Sequence, residues 1–153
     1  MDLVIVGQGP EVSLVKRFCK LHSHIIYLGD QPYEKLPGLI ANSFCSIIPK
    51  NNLGDRKRTG LSPVKFYESL SCGVPLIVTD LPFMSDLVKK YEFGVVVPLD
   101  KPDMIAKALQ FLLNNPKEHA EMKKKARGYI VKGNTWRHRA KQTFEIIEKL
   151  TSD

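Results

Sequence analysis

Lys65-Phe66-Tyr67-Glu68-Ser69-Leu70-Ser71-Cys72-Gly73-Val74-Pro75-Leu76-Ile77-Val78-Thr79-Asp80 passes from a helix through a glycine into a short apolar run, and the fold follows from that passage. Just upstream, Ser62-Pro63 reads as a helix start: an N-cap residue type, then a proline whose fixed φ suits the first helical position. Gly73 reads as the helix end, because glycine adopts a left-handed cap without steric cost. Pro75 to Thr79 then reads as a strand, nearly continuous in apolar residues and so expected to be covered on both faces.

The same alternation extends in both directions. Leu3 to Val6 is a short β-rich run closed by Gly7-Gln8-Gly9-Pro10, after which Val12, Leu14, Val15, Phe18, Cys19 and Leu21 recur at helical spacing. Ile25 to Leu28 is a second predicted strand, Tyr33 to Ala41 a helix weakened by Pro37-Gly38, and Phe44 to Ile48 a third strand stopped by Pro49. Lys50 to Leu61 is a polar, basic loop, of a length usually associated with function or disorder. Beyond the fourth strand come a short helix from Met84 to Tyr91 and a fifth strand at Gly94 to Val97. The rest is helical: Asp103 to Leu113, a helix opened by Pro116, and one from Trp136 to Leu150 capped by Asn134-Thr135. Apolar strands alternating with helices predict an α/β fold, a doubly wound, Rossmann-like parallel sheet of about five strands with a helical C-terminal extension. Residues 1–153 are expected to form a single domain. Such sheets bind ligands at the carboxyl ends of their strands.

Composition excludes several alternatives. With 43% hydrophobic and 25% charged residues the chain is ordinary for a globular protein. It contains no apolar run of the length a membrane span needs, and Met1 to Gly7 reads as a first strand in place of a signal peptide, so a cytoplasmic location is expected. Three widely spaced cysteines, Cys19, Cys45 and Cys72, fit neither a disulfide framework nor a zinc knuckle and are expected to be plain buried thiols. The formal charge of +7 favours phosphate-bearing partners of any kind: nucleic acid, an anionic leaflet or a diphosphate. Lys123, Lys124, Lys125 and Arg127, like Arg137, Arg139 and Lys141, read as solvated helix faces, whereas Arg56, Lys57 and Arg58 fall in the long loop.

Most chemistry-bearing motifs are missing. Gly7-Gln8-Gly9-Pro10-Glu11-Val12 begins like a dinucleotide fingerprint but has Val12 where the third glycine should stand, so a tight strand-to-helix turn is expected instead. There is no P-loop and no G-x-S-x-G elbow, and His22, His24, His119 and His138 lack metal-ligand spacing and are expected to be exposed. What remains is the long loop and the helix behind it. A helix N-terminus offers free N–H groups and a positive dipole end to an anion; Gly60 permits close backbone approach, and Lys65 stands in the first turn. Glu68, one turn further along between Phe66 and Leu70, is a carboxylate in need of partners, for which ribose hydroxyls are suitable. A phosphate-free helix with a surface Lys65–Glu68 pair explains the same residues equally well.

The segment from Lys65 to Asp80 resembles the K-x-x-E-x-x-x-x-G-x-P-V-I-x-T-D core of the glycosyl transferases group 1 family, the large, mainly retaining family of the GT-B fold. Leu3 to Glu11, Ile26 to Leu36, Gly94 to Pro98 and Thr135-Trp136 resemble its other segments in order and spacing. The resemblance implies the C-terminal domain that binds a nucleoside-diphosphate sugar, UDP- or GDP-linked, in a hexosyltransferase acting on a glycan, glycolipid or polysaccharide. Glu68 would hold the ribose hydroxyls; Thr59, Gly60, Leu61 and Ser62 would offer N–H groups to the diphosphate or sugar, with Lys65 nearby as a cation; Gly29, Asp30, Gln31 and Pro32 would border the base. No cofactor and no metal are implied, and no catalytic residue is assigned.

Two departures from the family pattern matter. Gly60 stands where many members have a glutamate near the donor sugar. The family's usual first strand and helix, with an Arg and a Lys that clamp the diphosphate, and the acceptor domain before them, have no counterpart in the 153 residues. The chain is therefore expected to be a fragment, inactive alone, whose partners are an N-terminal acceptor domain or a separate acceptor subunit, with peripheral contact at the inner face of the membrane. A non-catalytic donor-binding subunit of a split enzyme is an alternative. A basic nucleic-acid-binding module is the weakest reading, since no aromatic platform accompanies the charges.

Overall fold

A computed structural model describes residues 1–50 and 62–151, in two compact units, Met1–Leu39 and Ile40–Asp153. In the first unit, β1 (Leu3–Val6) and β2 (Ile25–Gly29) pair in parallel, Leu3 opposite Ile25 and Ile5 opposite Tyr27, with a register shift before Val6 meets Gly29. Helix α1 (Val12–Leu21) makes the crossover between them. The expected tight turn is present: Gly7 has φ +118°, its N–H donates to Gly29 C=O at 2.8 Å, and Val12 N–H donates to Gly9 C=O at 3.2 Å. The Tyr27 hydroxyl donates to Gly7 C=O at 2.8 Å, fastening the turn to β2. A 3-10 turn at Tyr33–Lys35 runs into α2 (Leu36–Ala41), whose last two residues belong to the second unit. Pro37 falls in the first turn of α2, where a helix uses no N–H. No residue of Met1–Leu39 is buried, as expected for two strands and a helix too few to enclose a core.

The second unit contains β3 (Ser46–Ile48), α3 (Val64–Ser71), β4 (Leu76–Thr79), α4 (Met84–Tyr91), β5 (Gly94–Val97), α5 (Pro102–Asn114), α6 (Pro116–Val131) and α7 (Trp136–Thr151). The strands pair in parallel in the order β3-β4-β5, so Leu76–Thr79 supplies the middle strand. All four residues of β4 are buried. Leu76 and Val78 face a cluster built by Ile48, Phe66, Leu70, Met84, Val88 and Phe93, with Ala126 and Ile130 of α6. Ile77 points the other way, to Val97, Ala108 and Leu112. This period of two, with apolar residues on both faces, is the signature of a strand covered on both sides.

Two glycines are required by geometry. A Cβ on Gly94 would lie 2.3 Å from the carbonyl oxygen of Leu76, so only glycine lets β5 approach β4 there. Gly73, at φ +70°, ends α3 in a Schellman motif: Val74 N–H donates to Ser69 C=O and Gly73 N–H to Leu70 C=O, both at 3.0 Å.

The strands are parallel throughout, as expected, but they form a two-stranded and a three-stranded sheet in place of one continuous five-stranded ladder. Hydrophobic runs specify that a strand exists and leave its partner open. The N-terminus of α3 also differs from expectation. Pro63 is its N-cap, and the Ser62 hydroxyl lies 3.0 Å from the Tyr67 hydroxyl, where it caps no backbone N–H. By contrast Thr135 caps α7 as expected, its Oγ1 accepting from His138 N–H at 3.3 Å.

Candidate functional site

The carboxyl edge of the three-stranded sheet gathers several chain segments. Lys50, two residues past β3, donates its N–H to Thr79 Oγ1 at the end of β4 (3.0 Å). Asp80 N–H donates to Val97 C=O at the end of β5 (2.8 Å), and Lys89 binds the Asp80 carboxylate at 3.0 Å. The hydrogen bond from Lys89, with the Ser85 hydroxyl close by, holds the Asp80 carboxyl below its ordinary range. Because β3, α3 and β4 form a parallel crossover, α3 starts at this edge and runs back along the sheet.

Helix α3 is fixed by its inner face. Phe66 and Leu70 are buried in the core, and Ser69 Oγ lies 2.9 Å from both Ser46 Oγ on β3 and Lys65 C=O one turn back. That phase leaves Val64 and Lys65 exposed at the N-terminus and Glu68 half-buried on the next turn. Among the described residues, the Glu68 carboxylate makes no hydrogen bond or ion pair, and the surface pair with Lys65 does not form. Glu68 thus stands half-buried on a helix fixed by Phe66, Ser69 and Leu70, its carboxylate with no hydrogen-bond or ion-pair partner among the described residues.

The predicted site residues fall into three groups. Ser62, Lys65 and Glu68 stand together on the first turns of α3 and the residue pair before it. Gly29, Asp30, Gln31 and Pro32 stand together in the first unit, at the carboxyl end of β2; Gly29 has φ +65° and Gln31 Nε2 donates to Leu28 C=O at 2.7 Å. Thr59, Gly60 and Leu61, with Arg56, Lys57 and Arg58, lie outside the described residues. Lys50 and Thr79 received no role from the sequence, although Thr79 belongs to the T-D pair of the resemblance.

Other titratable groups have structural explanations. The three cysteines are half-buried thiols that form no disulfide, less enclosed than expected. Burial pushes the Cys45 thiol up to about 11, and it raises Cys72 against the pull of Arg127. His22 and His24 are exposed as expected, whereas His119 and His138 are half-buried. His119 stacks on Phe44 (ring centroids 4.1 Å apart) with Nε2 2.8 Å from Phe44 C=O, and His138 Nδ1 lies 2.6 Å from Thr135 Oγ1. Spacing argues against metal ligation but carries no information on these long-range contacts. Among the described residues no group of three or more His, Cys, Asp or Glu side chains could hold a metal ion.

Residues 1–129 match the family model described as glycosyl transferases group 1. The chain belongs to this family. It is 25% identical over 148 residues to a GDP-mannose-dependent alpha-(1-6)-phosphatidylinositol monomannoside mannosyltransferase of Mycolicibacterium smegmatis, covering 95% of this chain and 39% of that protein. Among solved structures, sucrose-phosphate synthase from Thermosynechococcus elongatus superposes with a TM-score of 0.81 at 18% identity, over 99% of this chain and 39% of that one. Anabaena HepE, solved in complex with UDP, superposes with a TM-score of 0.75 at 16% identity, over 100% of this chain and 41% of that one. These structures establish the fold, the Rossmann-like architecture of group 1 glycosyltransferases. The chain spans about two fifths of the length of these relatives. No helix among the described residues is long and apolar enough to cross a membrane.

Proposed function

We propose that this group 1 chain binds the nucleoside-diphosphate sugar donor of a glycosyltransferase, with Glu68 as the ribose anchor and the α3 N-terminus as the diphosphate cradle. The observation that carries this reading is the Glu68 carboxylate itself, half-buried on a helix pinned by Phe66, Ser69 and Leu70 yet without a protein partner among the described residues. A vicinal diol offers two O–H donors to one carboxylate, and the first-turn N–H groups and Lys65 supply positive charge one helical turn away. Thr59 to Ser62 would extend the cradle, and Gly29 to Pro32 would border the base. In transfer, the charge developing on the departing diphosphate is what such a cradle stabilises.

The Mycolicibacterium relative is named for GDP-mannose and HepE was solved with UDP, which supports a UDP- or GDP-linked hexose as donor. The acceptor, a glycan, glycolipid or polysaccharide, would be held by an acceptor domain or a separate subunit. A donor-binding subunit of a split enzyme is the alternative arrangement. The net charge of +7 and a relative that acts on a phosphatidylinositol mannoside support work at the cytoplasmic face of an anionic membrane.

Titration with UDP and GDP, followed by amide NMR, tests the reading. Shifts centred on Ser62 to Glu68 are expected; a folded protein whose spectrum is unchanged at millimolar nucleotide would rule it out.

A further inference from the structure

At the same carboxyl edge, the residues that follow β4 hold a strained turn. Phe83 has φ +69° and ψ −59°, and Met84 N–H donates to Pro82 C=O at 2.9 Å, which makes Phe83 the centre of a γ-turn of the rare, positive-φ kind. For a residue with a bulky side chain this conformation is an outlier, and it persists only where the surroundings enforce it. They do so here. Leu81 and Met84, on either side, are each 1% exposed. Ser85 donates to Leu81 C=O through both its N–H (3.0 Å) and its Oγ (2.7 Å), and the Asp86 carboxylate accepts from Phe83 N–H at 2.9 Å. The turn is anchored at both ends while Phe83 itself is 44% exposed. A glycine would satisfy this backbone without strain, so the ring is retained at a conformational cost that core packing does not explain.

We infer that Phe83 is a specificity-determining residue whose ring packs against the sugar of the donor. The inference rests on the proposed donor-binding function. Open α/β sheets place ligands outside the carboxyl ends of their strands, and Phe83 lies four residues beyond the last residue of β4 at that edge. The electron-rich face of an exposed aromatic ring attracts the polarised C–H face of a pyranose, and the rigid turn holds that face without ordering cost on binding. Nothing in this contact involves the nucleotide, which Glu68 and the α3 N-terminus would hold.

The test is calorimetric titration of the wild type, Phe83→Gly, Phe83→Tyr and Glu68→Ala with UDP, UDP-glucose, GDP and GDP-mannose, alongside thermal melts. Phe83→Gly is expected to keep its nucleotide affinity and its Tm, and to lose about fivefold in affinity for the preferred nucleotide sugar. Phe83→Tyr, which retains the ring, is expected to bind both like the wild type. The inference is overturned if Phe83→Gly binds nucleotide sugar as tightly as the wild type, if it loses nucleotide and nucleotide sugar equally, or if the tyrosine variant behaves like glycine. A Tm several degrees lower for Phe83→Gly would contradict the strained turn. A wild type that binds none of the four ligands overturns the donor-binding function together with this inference. Nucleotide binding that depends on Glu68, with no effect of Phe83→Gly on the sugar, overturns this inference alone.

Discussion

The backbone N–H of Lys50 donates to the buried hydroxyl of Thr79 at 3.0 Å, tying the start of the segment after β3 to the end of β4. Valine has nearly the same shape as threonine but no acceptor. Thr79→Val is therefore expected to destabilise the fold by about 1 kcal/mol in denaturant titrations, because the half-buried Lys50 N–H loses its partner. The same substitution is expected to weaken nucleotide binding, by loosening the origin of the segment that leads to α3.

Gly94→Ala is expected to be among the most damaging single-methyl changes. Its Cβ would stand 2.3 Å from a backbone oxygen of the neighbouring strand, which cannot move aside as a flexible side chain could. A loss of about 1–3 kcal/mol is expected, read as a lower urea midpoint at unchanged slope.

Much of this was legible beforehand, and the reasons differ by residue. Leu76-Ile77-Val78 has no polar face, so burial on both sides could be read directly, and Gly73 announced its left-handed cap. Glu68 stood out because a carboxylate flanked by core residues needs an explanation. The division into two sheets was legible only through the resemblance: the family's usual first strand, which has no counterpart here, would lie between the Leu3 and Phe44 strands, where the five strands divide. Ser62 looked like a cap, but the Tyr67 hydroxyl offers it a competing hydrogen bond. The turn at Phe83 was invisible because positive φ is signalled by Gly or Asn, and Phe carries no such signal.

Leu70 is fully buried between α3 and the sheet, on the face opposite the exposed Lys65. Leu70→Ala is expected to cost about 2–5 kcal/mol from lost burial and the cavity left behind. Thermal denaturation checks it, and a Tm within a degree of the wild type would contradict the packing described.

Cys45, with a thiol pushed up to about 11 from 9.0 by burial, is expected to resist alkylation at pH 8, where almost none of it is thiolate. The raised value means that folding favours the protonated thiol. Its contribution to stability is full below the unfolded thiol's pKa and declines as pH rises from there towards about 11, because the unfolded chain releases that proton first. Mass spectrometry after brief iodoacetamide treatment, native and denatured, checks the first; denaturant midpoints from pH 8 to 11, compared with Cys45→Ala, check the second.

The most direct test of the donor site compares two carboxylates. Glu92 pairs with Lys125 at 2.6 Å on the exposed surface, whereas Glu68 stands half-buried on α3 with no such partner among the described residues. Nucleotide affinity, measured by calorimetry on both alanine variants, is expected to fall about 10- to 100-fold for Glu68→Ala, the value of hydrogen bonds to a charged group, and to stay unchanged for Glu92→Ala. Equal affinities for Glu68→Ala and the wild type, with the fold intact, would contradict the assignment of Glu68 as the ribose anchor.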